Sequence, residues 1–373
     1  MNVAYPQAEF DTPEQTVEGF IKLVKDGFEN PEGRDGTVRV IVEEFPHLGF
    51  RARFAGELLI DRPSSEYDAD TEISFPLSTL ELLFREFAVV DWRSPEIIGS
   101  TELKGDQSLA FLLAFSCLRP SNWTLDRFAA VAEKHKAFNY RDGLEIERLH
   151  APSQRQLLQA MDESRPVVII GLEPIPPCHD WSLDRLESEY GDVTAFMRSA
   201  SDHVTMRRFV EELRAFEDTP YQARSSLEFK AYTEGSRLPD EMWDNFGSMY
   251  FDREDFVPPQ LWLGSVPTDV PATPLHRDPL TGFLFQVMGR KRLDLYSADQ
   301  ADLLYPYKSY NTYQKCWFQP DQPNYEKYPK ARQAKSISVE LHPGELLVQP
   351  AGWFHQVYAL DSPTMSVSYF WRY

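Results

Sequence analysis

The stretch Thr273-Pro274-Leu275-His276-Arg277-Asp278 decides how the rest of this chain is interpreted. His276 and Asp278 are two positions apart, so on an extended strand their side chains project to the same face. The flanking Pro274 and Pro279 disfavour a helix at this point, which supports the strand. One imidazole and one carboxylate on a common face can bind a single metal ion, and a third ligand is then expected elsewhere.

The candidate third ligand is His355, at the end of Pro350-Ala351-Gly352-Trp353-Phe354-His355. After a Pro-Ala-Gly turn, it lies two residues from both Trp353 and Val357, so on a strand all three side chains share one face, and we expect His355 to point to the apolar side. A lone inward histidine is usually a hydrogen-bonded core residue, but the upstream His-x-Asp pair reverses that expectation. Two imidazoles and one carboxylate leave coordination positions open, as a non-haem Fe(II) oxygenase requires. A zinc hydrolase can use the same ligands.

Lys291 is chemically unusual, because it alternates with Leu293 and Leu295 in Lys291-Arg292-Leu293-Asp294-Leu295. That alternation predicts an ammonium on the inner wall of a β-structure, where an unpaired charge is costly. The distal carboxylate of 2-oxoglutarate would satisfy it, and the hydroxyl of Thr273 could add a hydrogen bond. Alternatively, Lys291 extends to a rim or pairs with a nearby carboxylate. A zinc hydrolase gives this lysine no role.

The length and the strand pattern predict an α+β fold class with two domains. A chain of 373 residues exceeds one ordinary core. From Gln260 onward, short apolar or alternating strands are broken by Pro and Gly, which is typical of an antiparallel barrel or sandwich. We predict a small α+β domain over residues 1–145. Residues 146–373 would form the antiparallel barrel or sandwich, with flanking helices.

Charge and composition exclude several classes of partner. The formal net charge is −20, and so acidic a surface repels nucleic acids and anionic membranes. The apolar runs are too short to span a bilayer, so no membrane span is predicted. Residues 1–6 show no features of a secretory leader, and the three cysteines are widely separated. Both features favour a cytoplasmic location.

The ordered motifs resemble the JmjC (cupin-type) 2-oxoglutarate oxygenases over residues 165–373, and within them the asparaginyl hydroxylases that act on hypoxia-inducible factor. Residues 273–278 match Thr-Pro-x-His-x-Asp, and Gly289-Arg290-Lys291-Arg292 matches Gly-x-Lys-Arg. Pro343-Gly344-Glu345 matches the turn before the distal histidine, and Trp353-Phe354-His355 matches that histidine itself.

The resemblance implies that residues 146–373 form a double-stranded β-helix (jelly roll), and it implies a site and a set of cofactors. His276, Asp278 and His355 would bind Fe(II), with 2-oxoglutarate and O₂ as co-substrates. Lys291 and Thr273 would hold the 2-oxoglutarate carboxylate, and Tyr221 would contact it as well. Gly282 departs from the pattern, because it stands near the position of a co-substrate asparagine in those hydroxylases.

The implied function is hydroxylation of an amino-acid side chain in a peptide or protein, with release of succinate and CO₂. A small-molecule or natural-product hydroxylase is an alternative, and demethylation of lysine is a further one. A non-catalytic cupin that only binds a ligand belongs to a different class. It predicts a broken triad or a missing lysine, and this sequence has neither.

The N-terminal part carries a second resemblance, to the sterol carrier protein fold over residues 35–120. It rests on Asp70–Leu80 and on Leu103-Lys104-Gly105-Asp106-Gln107-Ser108-Leu109-Ala110. It implies an apolar tunnel with an apolar ligand. The alternative is a small α+β domain for substrate docking or for dimerisation, and dimerisation would make the protein a homodimer.

Overall fold

The structure is a computed structural model that describes residues 12–62, 68–85, 92, 97, 99–142, 145–198, 203–224, 229–245, 250–310 and 312–373. Residues 1–6, on which the expectation about a leader rests, lie outside this part. Contacts divide the chain into two compact units. One comprises residues 1–126, 199–201 and 306–317, and the other comprises 127–198, 202–305 and 318–373. The predicted domain boundary between residues 145 and 146 stays a prediction.

The N-terminal unit is a mixed sheet with helices packed against it. The strand order is β3-β2-β1-β4-β5, with β1 and β4 parallel and the other pairs antiparallel. The helices are α1 (Pro13–Gly27), α2 (Leu77–Arg85) and α3 (Gln107–Ser116). The strands are β1 (Gly36–Val42), β2 (Phe50–Ala55), β3 (Glu57–Asp61), β4 (Thr71–Phe75) and β5 (Glu102–Gly105).

The first helix shows how the sequence builds this unit. Thr12 caps α1, and its side chain accepts a hydrogen bond from the backbone N–H of Gln15 at 3.3 Å. Val17, Phe20 and Val24 recur at helical spacing and join a buried cluster with the strands of the sheet. The apolar ligand, the homodimer and the sterol-carrier resemblance stay predictions.

The C-terminal unit contains more helices and most of the strands. Its helices are α4 (Asn122–Ala137, which begins before the division), α5 (Gln154–Asp162), α6 (Leu183–Tyr190), α7 (Met206–Asp218), α8 (Tyr221–Arg224), α9 (Asp240–Trp243) and α10 (Ala301–Leu304). None of the helices in the described ranges combines the length and apolar character needed to cross a membrane.

The strands of this unit form two larger, mainly antiparallel sheets and one separate two-stranded sheet. They are β6 (Glu147–His150), β7 (Val167–Ile170), β8 (Thr194–Ala195), β9 (Val204–Thr205), β10 (Ser236–Arg237), β11 (Gln260–Gly264), β12 (Thr273–Arg277), β13 (Thr281–Met288) and β14 (Lys291–Tyr296). After β15 (Gln314–Lys315), which belongs to the first unit, come β16 (Ile337–Leu341), β17 (Leu346–Gln349), β18 (Phe354–Ala359) and β19 (Thr364–Trp371).

The order of these strands confirms the predicted jelly roll. One sheet runs β10-β11-β19-β13-β17-β7-β6, and the other contains β12-β18-β14-β16. From β11 onward, successive strands of this unit alternate between the two sheets, except that β14 and β16 pair with each other in the same sheet. Each sheet turns one face toward the other, as in a β-sandwich closed by Greek-key connections. The α+β class predicted from the sequence is confirmed.

Alternation along the strands determines which side chains enter the interior. Lys291, Leu293 and Leu295 are each 1% exposed or less, and they alternate with partly exposed residues on β14. The leucines share a buried cluster with Leu347 and Val357 from neighbouring strands. The predicted inward position of Lys291 is therefore confirmed.

Candidate metal centre

Three side chains converge in the interior of the jelly roll. His276, Asp278 and His355 each offer one ligand atom, and these atoms all lie within 4.8 Å of one another. His276 and His355 are directly opposite on the antiparallel strands β12 and β18, and their ring centroids are 4.0 Å apart. Nε2 of His355 lies 3.6 Å from Oδ2 of Asp278. The structure thus brings together the three residues that the sequence selected.

Backbone contacts fix the directions of His276 and Asp278. Nδ1 of His276 is 2.8 Å from the carbonyl oxygen of Pro274, so its Nε2 is the nitrogen that would bind a metal. Asp278 follows the end of β12, and its carbonyl oxygen accepts a hydrogen bond from the N–H of Gly352 at 2.9 Å. The Pro-Ala-Gly turn that precedes His355 therefore also holds the backbone of Asp278.

The ring of His355 has two partners at Nδ1. The side-chain amide nitrogen of Gln349 lies 2.8 Å away, and the carbonyl oxygen of Trp353 lies 3.3 Å away. His355 is 7% exposed and Gln349 is 8% exposed. With Nδ1 engaged on this side, Nε2 faces Asp278. Metal binding at Nε2 would place the ring proton on Nδ1, where an oxygen acceptor stabilises it.

Burial shifts the pKa values of two members of the triad, Asp278 and His355. Burial raises the pKa of Asp278 to about 7, an effect that the positive charge of Arg198 partly opposes. Burial also lowers the pKa of His355 to about 4, an effect that its hydrogen bond with the Trp353 backbone partly opposes. Both shifts favour the neutral form of a group in a low-dielectric interior. A divalent cation would reverse the shift of Asp278, because it stabilises the carboxylate.

Lys291 is the buried cation of this interior. Its Nζ donates to Oγ of Ser366 at 2.6 Å and lies 3.4 Å from the hydroxyl of Tyr232. The rings of Tyr232 and Trp262 have their centroids 5.9 Å from the same nitrogen. In the described part of the chain, no carboxylate forms an ion pair with it, and burial lowers its pKa to about 7. Such an ammonium is suited to an anionic ligand.

The remaining predicted residues lie in different surroundings. Thr273 is partly exposed on β12 and pairs with Val357. Tyr221 is 59% exposed on the short helix α8. The tyrosine hydroxyl that the structure places beside Lys291 is that of Tyr232, which is 6% exposed.

Sequence reasoning missed Tyr232, Ser366 and Gln349. The position of Ser366 could have been predicted from the sequence, because hydroxyl residues at 364, 366 and 368 alternate with Met365, Val367 and Tyr369 and so share one face of the last strand. Gln349 shares the inward parity of Leu347 on β17. Tyr232 lies in an irregular segment joined to the sheet by an isolated bridge to Gly264, so no periodicity marks it.

Comparisons with known proteins agree with this geometry. The family described as "Cupin-like domain" matches residues 152–373, which is more than half of the chain. The chain belongs to this cupin-like JmjC family. The match lies in the C-terminal part and includes the three clustered residues and Lys291.

Named relatives come from several animals. The chain is 29% identical over 245 residues to "Lysine-specific demethylase 8" of Danio rerio, covering 61% of this chain and 58% of that protein. It is 27% identical over 246 residues to "Jumonji C domain-containing protein 5" of Drosophila melanogaster, covering 61% and 60%. It is 31% identical over 134 residues to human "HSPB1-associated protein 1", covering 35% and 26%. The matches thus span less than two thirds of these relatives.

Proposed function

We propose that this cupin-like JmjC protein is an Fe(II)- and 2-oxoglutarate-dependent dioxygenase that hydroxylates an amino-acid side chain in a peptide or protein, releasing succinate and CO₂. The observation that carries the proposal is the pairing of two features in one interior. His276, Asp278 and His355 form a two-histidine, one-carboxylate cluster. Lys291, 1% exposed, supplies an ammonium on the neighbouring strand β14.

The donor set fits Fe(II). Two imidazoles and one carboxylate bind one face of the ion and leave the opposite positions to other ligands. His276 and His355 each engage Nδ1 with other protein groups, so each can bind through Nε2. Asp278 would supply the carboxylate. Zinc fits the same donors, but a zinc hydrolase would leave the ammonium of Lys291 unexplained.

The surroundings of Lys291 fit the distal carboxylate of 2-oxoglutarate. Lys291 is paired with Ala359, while His355 is paired with Leu295, four residues further along β14. The backbone positions of Lys291 and His355 are therefore separated by roughly 13 Å along the strands. The side chains of Lys291 and of the triad enter the same interior, so an acid bound between them would meet a cation at one end and the metal ligands at the other. Lys291 and the hydroxyls of Tyr232 and Ser366 would then hold one end of that acid, and its oxo-acid end would face the triad.

The residues of the chain would hold the metal, orient the co-substrate and keep water out of the site. Bound Fe(II) would supply the O₂ activation that couples decarboxylation of 2-oxoglutarate to oxidation of a C–H bond. Lys291 neutralises the carboxylate far from the reacting end, which orients the co-substrate. The leucines beside Lys291 on β14 form an apolar wall that keeps water from this interior.

The test is release of succinate by purified protein given Fe(II), 2-oxoglutarate and O₂. We expect succinate to form with wild-type protein and to be absent with His355→Ala, which removes one metal ligand. A folded, iron-loaded protein that gives no succinate and whose thermal unfolding is unaffected by 2-oxoglutarate would contradict the proposal, and would favour a non-catalytic ligand-binding cupin.

The substrate class needs a separate test. Incubating wild-type protein and His355→Ala with a lysate, then mapping peptides that gain one oxygen atom only with wild type, would support a peptide or protein substrate. Gain of oxygen only among small molecules would instead support the small-molecule hydroxylase. Demethylation of N-methyl-lysine is a second candidate because of the name of the Danio rerio relative. Methylated peptides that lose a methyl group would support it.

A further inference from the structure

Gln349 contacts the metal-ligand candidate His355 from the facing sheet, and the proposed function assigns it no role. We propose that Gln349 is a positioning residue that fixes the ring of His355 for metal binding, and that Gly282 leaves the room this arrangement needs. The inference rests on the proposed metal site and goes beyond it, because it concerns a residue outside the triad.

The contact crosses the turn between two consecutive strands that lie in facing sheets. Gln349 ends β17, and His355 lies on β18 of the other sheet. Gln349 has the parity of Leu347, which belongs to the buried cluster between the sheets, so its side chain points inward. Its amide lies 2.8 Å from Nδ1 of His355, closer than the 3.3 Å of the Trp353 carbonyl oxygen. The amide is therefore the nearer of the two groups that hold this ring nitrogen.

Gly282 is the direct neighbour of Gln349 on the paired strand β13. Paired residues point to the same face, with Cβ atoms about 4.5–5.5 Å apart. A Cβ at Gly282 would meet only the ring of Phe370, at 3.5 Å, which is ordinary contact. A longer side chain would extend from there into the interior space beside Gln349. The position thus tolerates a methyl group but is expected to oppose a larger substituent.

The chemical role follows from the nitrogen that the metal would use. Binding through Nε2 of His355 requires the proton on Nδ1. The atom of Gln349 nearest Nδ1 is the amide nitrogen, and a half-turn of the amide group exchanges it for the side-chain oxygen, which can accept that proton's hydrogen bond. An acceptor at this position fixes the orientation of the ring and makes Nε2 a better donor. Loss of such a partner typically weakens metal binding about 10- to 100-fold.

Two substitutions at Gln349 separate positioning from packing. Gln349→Met keeps the length and the volume but removes the acceptor, and we expect affinity for Co(II), used as a probe without co-substrate or O₂, to fall about 10- to 100-fold. Gln349→Glu keeps an acceptor, and we expect Co(II) affinity equal to or above that of wild type. A packing role predicts the reverse order, because methionine suits an apolar interior and a buried carboxylate does not.

The matched control is Gln286→Met. Gln286 is also a buried glutamine, but its amide donates to the carbonyl oxygens of Met288 and Gly289. We expect this variant to lower the thermal unfolding temperature without changing Co(II) affinity or the visible absorption of the Co(II) complex. Equal losses of affinity in Gln286→Met and Gln349→Met would overturn the proposal.

Substitutions at Gly282 test the claim about space. Gly282→Ala should bind Co(II) like wild type, whereas Gly282→Leu should displace Gln349 and lower affinity to the level of Gln349→Met. Wild-type affinity in a folded Gly282→Leu variant would refute that claim. If His355→Ala binds Co(II) as tightly as wild type, the proposed metal site itself is wrong. If only His355→Ala loses affinity while Gln349→Met binds normally, the site stands and the positioning role is wrong.

Discussion

The two units bury polar groups of different kinds. Between residues 12 and 126, the polar side chains that the structure describes as buried are hydroxyls: Thr16, Thr71, Thr79, Ser116, Ser121 and Thr124. Several bond to backbone carbonyl oxygens close by, as Ser116 does to Leu112 at 2.6 Å. The interior of the jelly roll instead buries two imidazoles, an ammonium and two amides, on His276, His355, Lys291, Gln286 and Gln349.

This difference indicates what each interior is built for. A hydroxyl that bonds to its own helix costs little, so the N-terminal unit can rely on the burial of apolar area. Buried titratable groups oppose folding unless they are paired, and they persist where they serve a site. We therefore expect substitutions in the N-terminal core to change stability, and substitutions in the jelly-roll interior to change binding and chemistry.

The largest effect is expected for Asp278→Ala. Loss of the only carboxylate of the triad should lower 2-oxoglutarate turnover at least about 1,000-fold, because the remaining imidazoles no longer supply the facial ligand set. The metal-free variant should unfold at the same temperature as wild type or higher, since burial disfavours this carboxylate and raises its pKa to about 7. Succinate release and thermal unfolding are the measurements. Asp294→Ala, on the outer face of β14, is the control, and equal turnover in the two variants would contradict the assignment.

Phe20→Ala should lower stability and leave metal binding unchanged, the opposite of what is expected for Asp278→Ala. Phe20 is 2% exposed and its ring centroid lies 6.2 Å from those of Phe50 and Phe75. Truncation should destabilise the N-terminal unit by about 3–5 kcal/mol. Hydrogen exchange of the backbone amides of β1 and β2 would report this, while Co(II) affinity should not change. Leu59→Ala, at a side chain that is 41% exposed, should cost at most about 0.5 kcal/mol.

Much of this arrangement could be predicted where strands are regular. Period-two alternation placed Lys291 and His355 inward, and His-x-Asp spacing selected the other two members of the triad. The structure confirms that alternation and brings the triad together.

Contacts that depend on register or on irregular segments could not be predicted. Gln349 meets His355 across the turn between β17 and β18; alternation predicts that both side chains point inward, but not how closely the two facing sheets bring them together. Tyr232 approaches Lys291 from a segment without regular strands, so the alternation of side chains along a strand cannot predict which way Tyr232 points. The family resemblance instead implied Tyr221, whose side chain is 59% exposed.

Lys291→Met should change how the free energy of unfolding depends on pH, because it removes a buried ammonium that destabilises the folded state. The pKa of Lys291 falls from 10.5 to about 7 on burial. Between these values the unfolded chain binds a proton that the folded chain does not, so wild-type stability rises with pH in this window. Metal-free Lys291→Met should be more stable than wild type by about 1–4 kcal/mol below pH 7, and the difference should shrink toward pH 10. Urea unfolding across this range measures it.

The outward neighbour provides the control for that experiment. Arg292 stacks on the ring of Tyr358 at 4.1 Å on the other face of β14. Arg292→Met should show no such pH window. A constant stability difference between Lys291→Met and wild type from pH 6 to pH 10 would mean that the ammonium is not buried as described.

The smallest effect is expected for Tyr232→Phe, which decides between two tyrosines. Loss of one hydroxyl near Lys291 should weaken 2-oxoglutarate binding by about 1 kcal/mol, or roughly fivefold, because a single hydrogen bond to a charged group is lost while the ring remains. Tyr221→Phe should bind like wild type, since its side chain is largely exposed. Calorimetric titration of the metal-loaded protein measures both. Weaker binding in Tyr221→Phe and normal binding in Tyr232→Phe would instead restore the assignment made from the sequence, and would mean that the segment around Tyr232 moves away from Lys291 when the co-substrate binds.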